Sequence, residues 1–177
     1  RKGPLRILVF GGSLGSKAFN QVLPSMFKKL NGKNRLSIIH QSGEKMFELL
    51  KESYKGADFK VETRKYIFDM EKKYNWADIV IARSGALTVS ELITSGTASI
   101  LIPYPFAVDD HQFFNAKILK EAGAAEIIRE KDLEEKLVFN LVKLNRKKCE
   151  NMAQKAKELH RYDACAEVRK VCNTLLK

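Results

Sequence analysis

The chain has 177 residues, enough for one α/β domain around a single buried core. Hydrophobic residues make up 45% and charged residues 30%, which excludes a disordered chain; no apolar run approaches the roughly 20 residues that span a bilayer. A net charge of +11 points to an acidic partner such as nucleotide phosphates or an anionic membrane surface, and the absence of a basic-aromatic stripe argues against nucleic acid.

Residues 5–10, LRILVF, form an apolar run ending in Gly11-Gly12-Ser13-Leu14-Gly15, after which Phe19, Val22, Leu23, Met26, Phe27 and Leu30 recur at helical spacing. A strand, a glycine-rich turn and a helix cradle phosphates well. Pro24 falls inside the helical pattern and is expected to kink it. The glycines are spaced G-G-x-x-G rather than G-x-G-x-x-G. The next strand, 36–39, runs into His40 and Gln41 with no carboxylate for an adenosine ribose, so a nicotinamide dehydrogenase is disfavoured. Residues 43–54 read as a second helix with Met46, Phe47, Leu49 and Leu50 inward, and 59–63 alternate like an edge strand. Around Ile67 and Met70, ahead of a short helix ending at Trp76, the apolar side chains are either packing or a lip for a flat base.

Residues 78–82, DIVIA, read as a buried strand that leads through Arg83-Ser84-Gly85 into a helix on which Leu87, Val89, Leu92 and Ile93 share a face. The unpaired N–H groups at that helix start suit a diphosphate, and Glu91, about one turn in, is placed to accept sugar hydroxyls. The alternative is that Ser84 merely caps a structural helix. After Gly96 a fifth strand, 98–102, stops at Pro103-Tyr104-Pro105. Asp109 and Asp110 read as helix caps, His111 and Gln112 as exposed first-turn groups, and Phe113, Phe114, Ile118 and Leu119 as a buried face. A sixth strand follows at 125–128. Asp132 opens a helix with a capping-box-like pair and Leu133, Leu137, Leu141 and Leu144 along one side. Residues 145–148 interrupt it before Cys149, Met152, Ala153 and Ala156 resume the pattern. Asp163 is expected to cap a last helix with Val168, Val171, Cys172 and Leu175 inward.

Cys149, Cys165 and Cys172 form an odd set without metal-ligand spacing, which suggests reduced thiols in a cytoplasmic setting. His40, His111 and His160 are too scattered to suggest a metal site. Arg1-Lys2-Gly3-Pro4 reads like a linker, so a preceding segment is expected. Strand–helix units in alternation predict a doubly wound, parallel six-stranded α/β sheet with right-handed crossovers. Ligands on such sheets bind at the carboxyl ends of strands where the winding reverses. The polar turns at 11–15, 83–88 and 109–112 all fall at carboxyl ends, which favours a phosphate-bearing ligand.

G-G-S-L-G at 11–15, H-Q-S-G at 40–43, A-D-I-V-I-A-R-S-G-A-L-T-V-S-E at 77–91, P-Y-P at 103–105, D-H-Q-F-F-N-A at 110–116 and E-A-G-A-A at 121–125 closely resemble the MurG family, the bacterial N-acetylglucosaminyltransferases that make lipid II for peptidoglycan. The likeness is collinear over nearly the whole chain. It implies a single Rossmann-like domain over 1–177, the C-terminal donor-binding half of a GT-B glycosyltransferase whose N-terminal acceptor domain is absent. It implies that Ser13 contacts the donor diphosphate and that Ile67 holds the uracil through its backbone with Met70 nearby. Ala86, Leu87 and Thr88 would contact phosphate and ribose, Glu91 the ribose hydroxyls, and Gln112 with His111 the GlcNAc. Gly12, Leu14, Arg83, Ser84 and Gly85 complete the implied UDP-GlcNAc set. Leu14 stands where many relatives have Gln, and His111 replaces another polar residue in some.

The reaction so implied is inverting transfer of GlcNAc from UDP-GlcNAc to a lipid-linked muramoyl-pentapeptide, without a metal or other cofactor, by a cytoplasmic protein peripheral on the inner face of the cell membrane. The general base would come from the missing domain, so no catalytic residue is expected in this chain, and the domain alone is expected to turn over little. The alternatives are another UDP-sugar glycosyltransferase, a UDP-GlcNAc 2-epimerase-like isomerase, and a non-catalytic nucleotide-sugar-binding subunit.

Overall fold

Strand β1, Leu5–Phe10, is apolar on both faces because both are covered. Ile7 and Val9 pack into one cluster with Phe19, Leu23 and Phe27, while Leu8 and Phe10 pack into another with Tyr74, Val89 and Leu92. In this computed structural model, which describes residues 2–30, 36–160 and 164–175, the elements follow as α1 Lys17–Lys29, β2 Leu36–Gln41, α2 Phe47–Ser53, β3 Lys60–Arg64 and α3 Met70–Trp76. Then come β4 Ile79–Ala82, α4 Ala86–Ser95, β5 Ser99–Leu101, α5 His111–Glu121, β6 Ala125–Ile127, α6 Leu133–Lys143, α7 Arg146–Glu158 and α8 Ala164–Leu175. Short 3-10 turns at Val108–Asp110 and Glu130–Asp132 precede α5 and α6.

The strands are all parallel, in the order β3-β2-β1-β4-β5-β6. Helices α1, α2 and α6 supply one face and α3, α4 and α5 the other, so the winding reverses between β1 and β4. Each fully buried Phe or Leu contributes about 1.5–3 kcal/mol of hydrophobic stabilisation. That burial locks the register Val9 opposite His40 and Phe10 opposite Ala82, which brings the carboxyl ends of β2, β1 and β4 level. Helix α7 bridges the faces, with Cys149 and Met152 in the first cluster and Ala156 in the second.

Several local expectations are corrected. Helix α1 runs past Pro24 without a break; Pro24 is buried and removes one ladder donor. Helix α2 starts only at Phe47 and buries Leu50, while Leu49 is 46% exposed. On α5, Ala116 and Leu119 face the core and Phe114 and Ile118 face solvent, since a helix against this sheet presents only a narrow stripe. Asp132 stands at the N-cap of α6 as expected, but its side chain makes no capping bond and accepts instead from Lys136 Nζ at 2.9 Å. The break before α7 is only Leu144 and Asn145, and Asn145 caps the helix by accepting from Lys148 N. Leu133, Leu137, Leu141 and Leu144 are buried as expected. Val171 and Cys172 on α8 are exposed rather than inward, while Asp163, Val168 and Leu175 lie outside the described residues or side chains.

Candidate functional site

The glycine turn after β1 is built by contact with the next loop. Gly12 and Gly15 have φ of 88° and 77°, and Gly15 N–H donates to the Gly12 carbonyl at 3.0 Å. A Cβ on Gly15 would sit 1.9 Å from the Ser42 carbonyl oxygen, and one on Gly43 2.0 Å from that of Leu14. The two loops therefore touch backbone to backbone, which only glycine permits. Gln41 Nε2 donates to the Gly12 carbonyl at 2.8 Å and Asn20 Nδ2 to the Ser42 carbonyl at 2.8 Å. The H-Q-S-G loop is thus the support that holds the glycine turn in place.

Gly85, not Ser84, is the N-cap of α4, and it brings no side-chain acceptor. The N–H groups of Ala86, Leu87 and Thr88 have no partner within the helix by geometry, and they carry the positive end of its dipole. Ser84 is fully buried and its hydroxyl donates to the Gln112 carbonyl at 2.7 Å, while Asn115 Nδ2 donates to the Ser84 carbonyl at 3.1 Å. The starts of α4 and α5 are tied together by these bonds.

The α5 start holds a feature that periodicity did not reveal. Asp109 and Asp110 adopt left-handed φ of 49° and 52°, a conformation costing on the order of 1–3 kcal/mol per residue unless the surroundings enforce it. Neither caps a helix through its side chain. Asp110 instead takes two hydrogen bonds from Arg129, at 2.8 and 2.7 Å, and these hold its carboxyl below the usual range. Arg129 in turn lies 4.0 Å over the Phe113 ring. The pair fixes the exit of the β5 loop, where Gln112 Oε1 accepts from Tyr104 N–H at 3.0 Å. That bond leaves the amide nitrogen of Gln112 as the donor end.

Ser13, Thr88 and Gln112, from three different turns, line one open cleft of about 780 Å³, with Tyr104 and Phe106 on its rim. Gly12, Leu14, Arg83 and Gly85 line it too. The remaining expected residues, Ile67, Met70, Ser84, Ala86, Leu87, Glu91 and His111, are not among those that line it. Ser84 is buried, and Ala86 and Leu87 lie exposed on the first α4 turn, where Leu87 is 81% exposed instead of sharing the buried face of Val89 and Leu92. Glu91, on the α3 side of α4, accepts from the Tyr74 hydroxyl at 2.8 Å. Burial, and then this carboxylate, push the Tyr74 phenol far above its ordinary range. The Ile67 side chain is core, packed with Leu8 and Tyr74, while flanking Tyr66 and Phe68 are exposed. The exposed His111 ring has Nδ1 2.8 Å from the Val108 carbonyl oxygen. The sequence reading missed Glu130, which lies 47 positions from its partner Arg83 and lines the same cleft. Among the described residues no His, Cys, Asp and Glu cluster could hold a metal ion.

A glycine turn and an uncapped helix start, meeting at the switch point of a parallel 3-2-1-4-5-6 sheet, define a Rossmann-like domain, here the half found in GT-B glycosyltransferases. Residues 6–168 match the glycosyltransferase family 28 C-terminal domain, and the chain belongs to that family. It is 40% identical over its whole length to the UDP-N-acetylglucosamine–N-acetylmuramyl-(pentapeptide) pyrophosphoryl-undecaprenol N-acetylglucosamine transferase of Dechloromonas aromatica, covering 50% of that protein. The same enzyme of Cupriavidus necator is 42% identical, again with 50% covered. The crystal structure of Acinetobacter baumannii MurG superposes with a TM-score of 0.88 at 38% identity over 98% of this chain and 51% of that one. The glycosyltransferase VinC, solved with dTDP, shares the fold at a TM-score of 0.63 and 16% identity, over 98% of this chain and 42% of that one. The chain thus spans about half the length of the curated relatives it matches.

Proposed function

We propose that the chain is the UDP-GlcNAc-binding half of an inverting N-acetylglucosaminyltransferase that acts on a lipid-linked muramoyl-pentapeptide acceptor in peptidoglycan synthesis. The observation that carries the reading is the convergence of Ser13, Thr88 and Gln112 on one cleft at the switch point. The diphosphate lies between the glycine turn and the first turn of α4, where amide donors and the helix dipole meet the charge that builds as UDP leaves. Glu91, anchored by Tyr74, takes the ribose hydroxyls. The Ile67 backbone takes the uracil, with Met70 beside it, and Gln112 with His111 takes the GlcNAc hydroxyls. The names of the curated relatives, which specify this donor sugar and acceptor, support the choice of ligands.

The base that deprotonates the acceptor hydroxyl comes from a domain outside this chain, so the chain binds donor and transfers little by itself. A peripheral seat on the anionic inner face of the cell membrane is supported by the net charge of +11; among the described residues no helix is long and apolar enough to cross a membrane. Calorimetric titration with UDP, UDP-GlcNAc, UDP-galactose and UDP-glucose tests the reading. Saturable heat with UDP and, among the sugars, tightest binding of UDP-GlcNAc are expected. Folded protein that gives saturable heat with neither UDP nor UDP-GlcNAc overturns it.

A further inference from the structure

Arg83 opens the central R-S-G-A-L-T motif and lines the cleft, which makes it the obvious cation for a diphosphate. Its donors are already used. Nη1 donates to the carbonyls of Ile102 and Pro103, both at 3.2 Å. Nη2 donates to Ser16 Oγ at 3.0 Å and to the Glu130 carboxylate. A guanidinium carries two N–H bonds on each terminal nitrogen, so all four are committed within the protein. The guanidinium carbon also lies 4.6 Å from the Phe19 ring centre and 5.5 Å from that of Tyr104. The Arg83 side chain is 11% exposed. No terminal donor is left to turn toward a ligand without breaking a contact in the fold.

Glu130 gives the pair its second meaning. Among the described residues lining the cleft it is the only carboxylate, against two cations, Arg83 and Lys17, and its side chain is 27% exposed. A bare carboxylate there repels a diphosphate across a partly desolvated gap.

We propose that Arg83 is a positioning residue rather than a diphosphate ligand: it staples the ends of β1, β5 and β6 and masks Glu130, and the Glu130 charge holds down the affinity of the cleft for the leaving UDP. The inference rests on the donor-site reading given above. It makes opposite predictions for two neutralisations within one ion pair. Removing the carboxylate unmasks Arg83 and adds one positive charge to the cleft; removing the cation unmasks Glu130.

UDP and uridine affinities, measured by calorimetry at low and moderate salt on wild type, Glu130→Gln, Arg83→Gln and the double variant, test this. Glu130→Gln is expected to tighten UDP about three- to tenfold, with the gain shrinking as salt rises. Arg83→Gln is expected to weaken UDP about tenfold or more, and the double variant, relieved of the bare carboxylate though still without the staple, to bind UDP at least about threefold tighter than Arg83→Gln. Uridine, which lacks the diphosphate, changes by less than about twofold throughout, a readout that mere loosening of the loops would not spare. A double variant as weak as Arg83→Gln, or Glu130→Gln that binds UDP more weakly than wild type, overturns the proposal. Should Arg83→Gln not fold, the sign of the Glu130→Gln effect decides alone. Wild type that binds uridine and UDP equally, or neither, sinks the donor-site reading itself, which sets that failure apart from this one.

Discussion

His40 is wholly buried at the carboxyl end of β2, with Nδ1 2.9 Å from the Tyr54 hydroxyl and Nε2 without a hydrogen-bond partner. Burial disfavours the imidazolium and pushes its pKa down to about 3. The unfolded chain takes up that proton near pH 6.5, so the stability His40 gives by staying neutral is fully present above pH 6.5 and is lost as pH falls toward 3. The loss approaches about 1.4 kcal/mol per pH unit, or about 2 kcal/mol between pH 7 and pH 5. Urea midpoints of wild type and His40→Gln at those two pH values check this: the wild type loses more than the variant, whereas equal losses contradict it. Residue identities told much about the site and little about its bonding. Ser13 and Gln112 were legible because they sit in turns that break a periodic pattern. The commitments of Ser84 to Gln112 and of Arg83 to Glu130 were not, because they join positions 28 and 47 apart that only the folded sheet brings together.

The decisive element is the first turn of α4, an N-terminus that Gly85 leaves without a side-chain cap. A carboxylate placed there should stabilise the helix and damage the site at once, because the new side chain and a bound diphosphate compete for the same donors. Thr88→Asp is therefore expected to raise stability by up to about 1 kcal/mol and to weaken UDP at least about tenfold. Unchanged UDP affinity in a folded Thr88→Asp variant, read by calorimetry with thermal melting as the check on folding, would place the diphosphate elsewhere. The strand–turn–helix units were legible from runs of β-branched residues followed by helical spacing. Which helix face is buried was less so. Leu87, Phe114 and Ile118 fit an apolar stripe by spacing, yet Val89, Leu92, Ala116 and Leu119 take the core positions and leave them in solvent. The left-handed pair Asp109 and Asp110 was hidden too, since aspartates before a helix ordinarily signal a cap.

At the scale of the whole molecule, alternation of strands and helices with right-handed crossovers dictates one edge for all the turns at the carboxyl ends, so a shared site followed from topology before any contact was known. The exposed apolar side chains Leu14, Phe106 and Val108 near that edge had no such signature, because hydrophobic patterning presumes that the chain supplies its own cover. The central claim is that the three turns act as one binding surface. Amide chemical-shift mapping of isotope-labelled protein during a UDP titration tests it most directly. The account predicts that residues 11–15, 85–88 and 104–112 shift together along a single saturation curve, while Asn75, Thr97 and Lys157 at the opposite edge stay still. Shifts confined to one turn, or centred on that opposite edge, would contradict it.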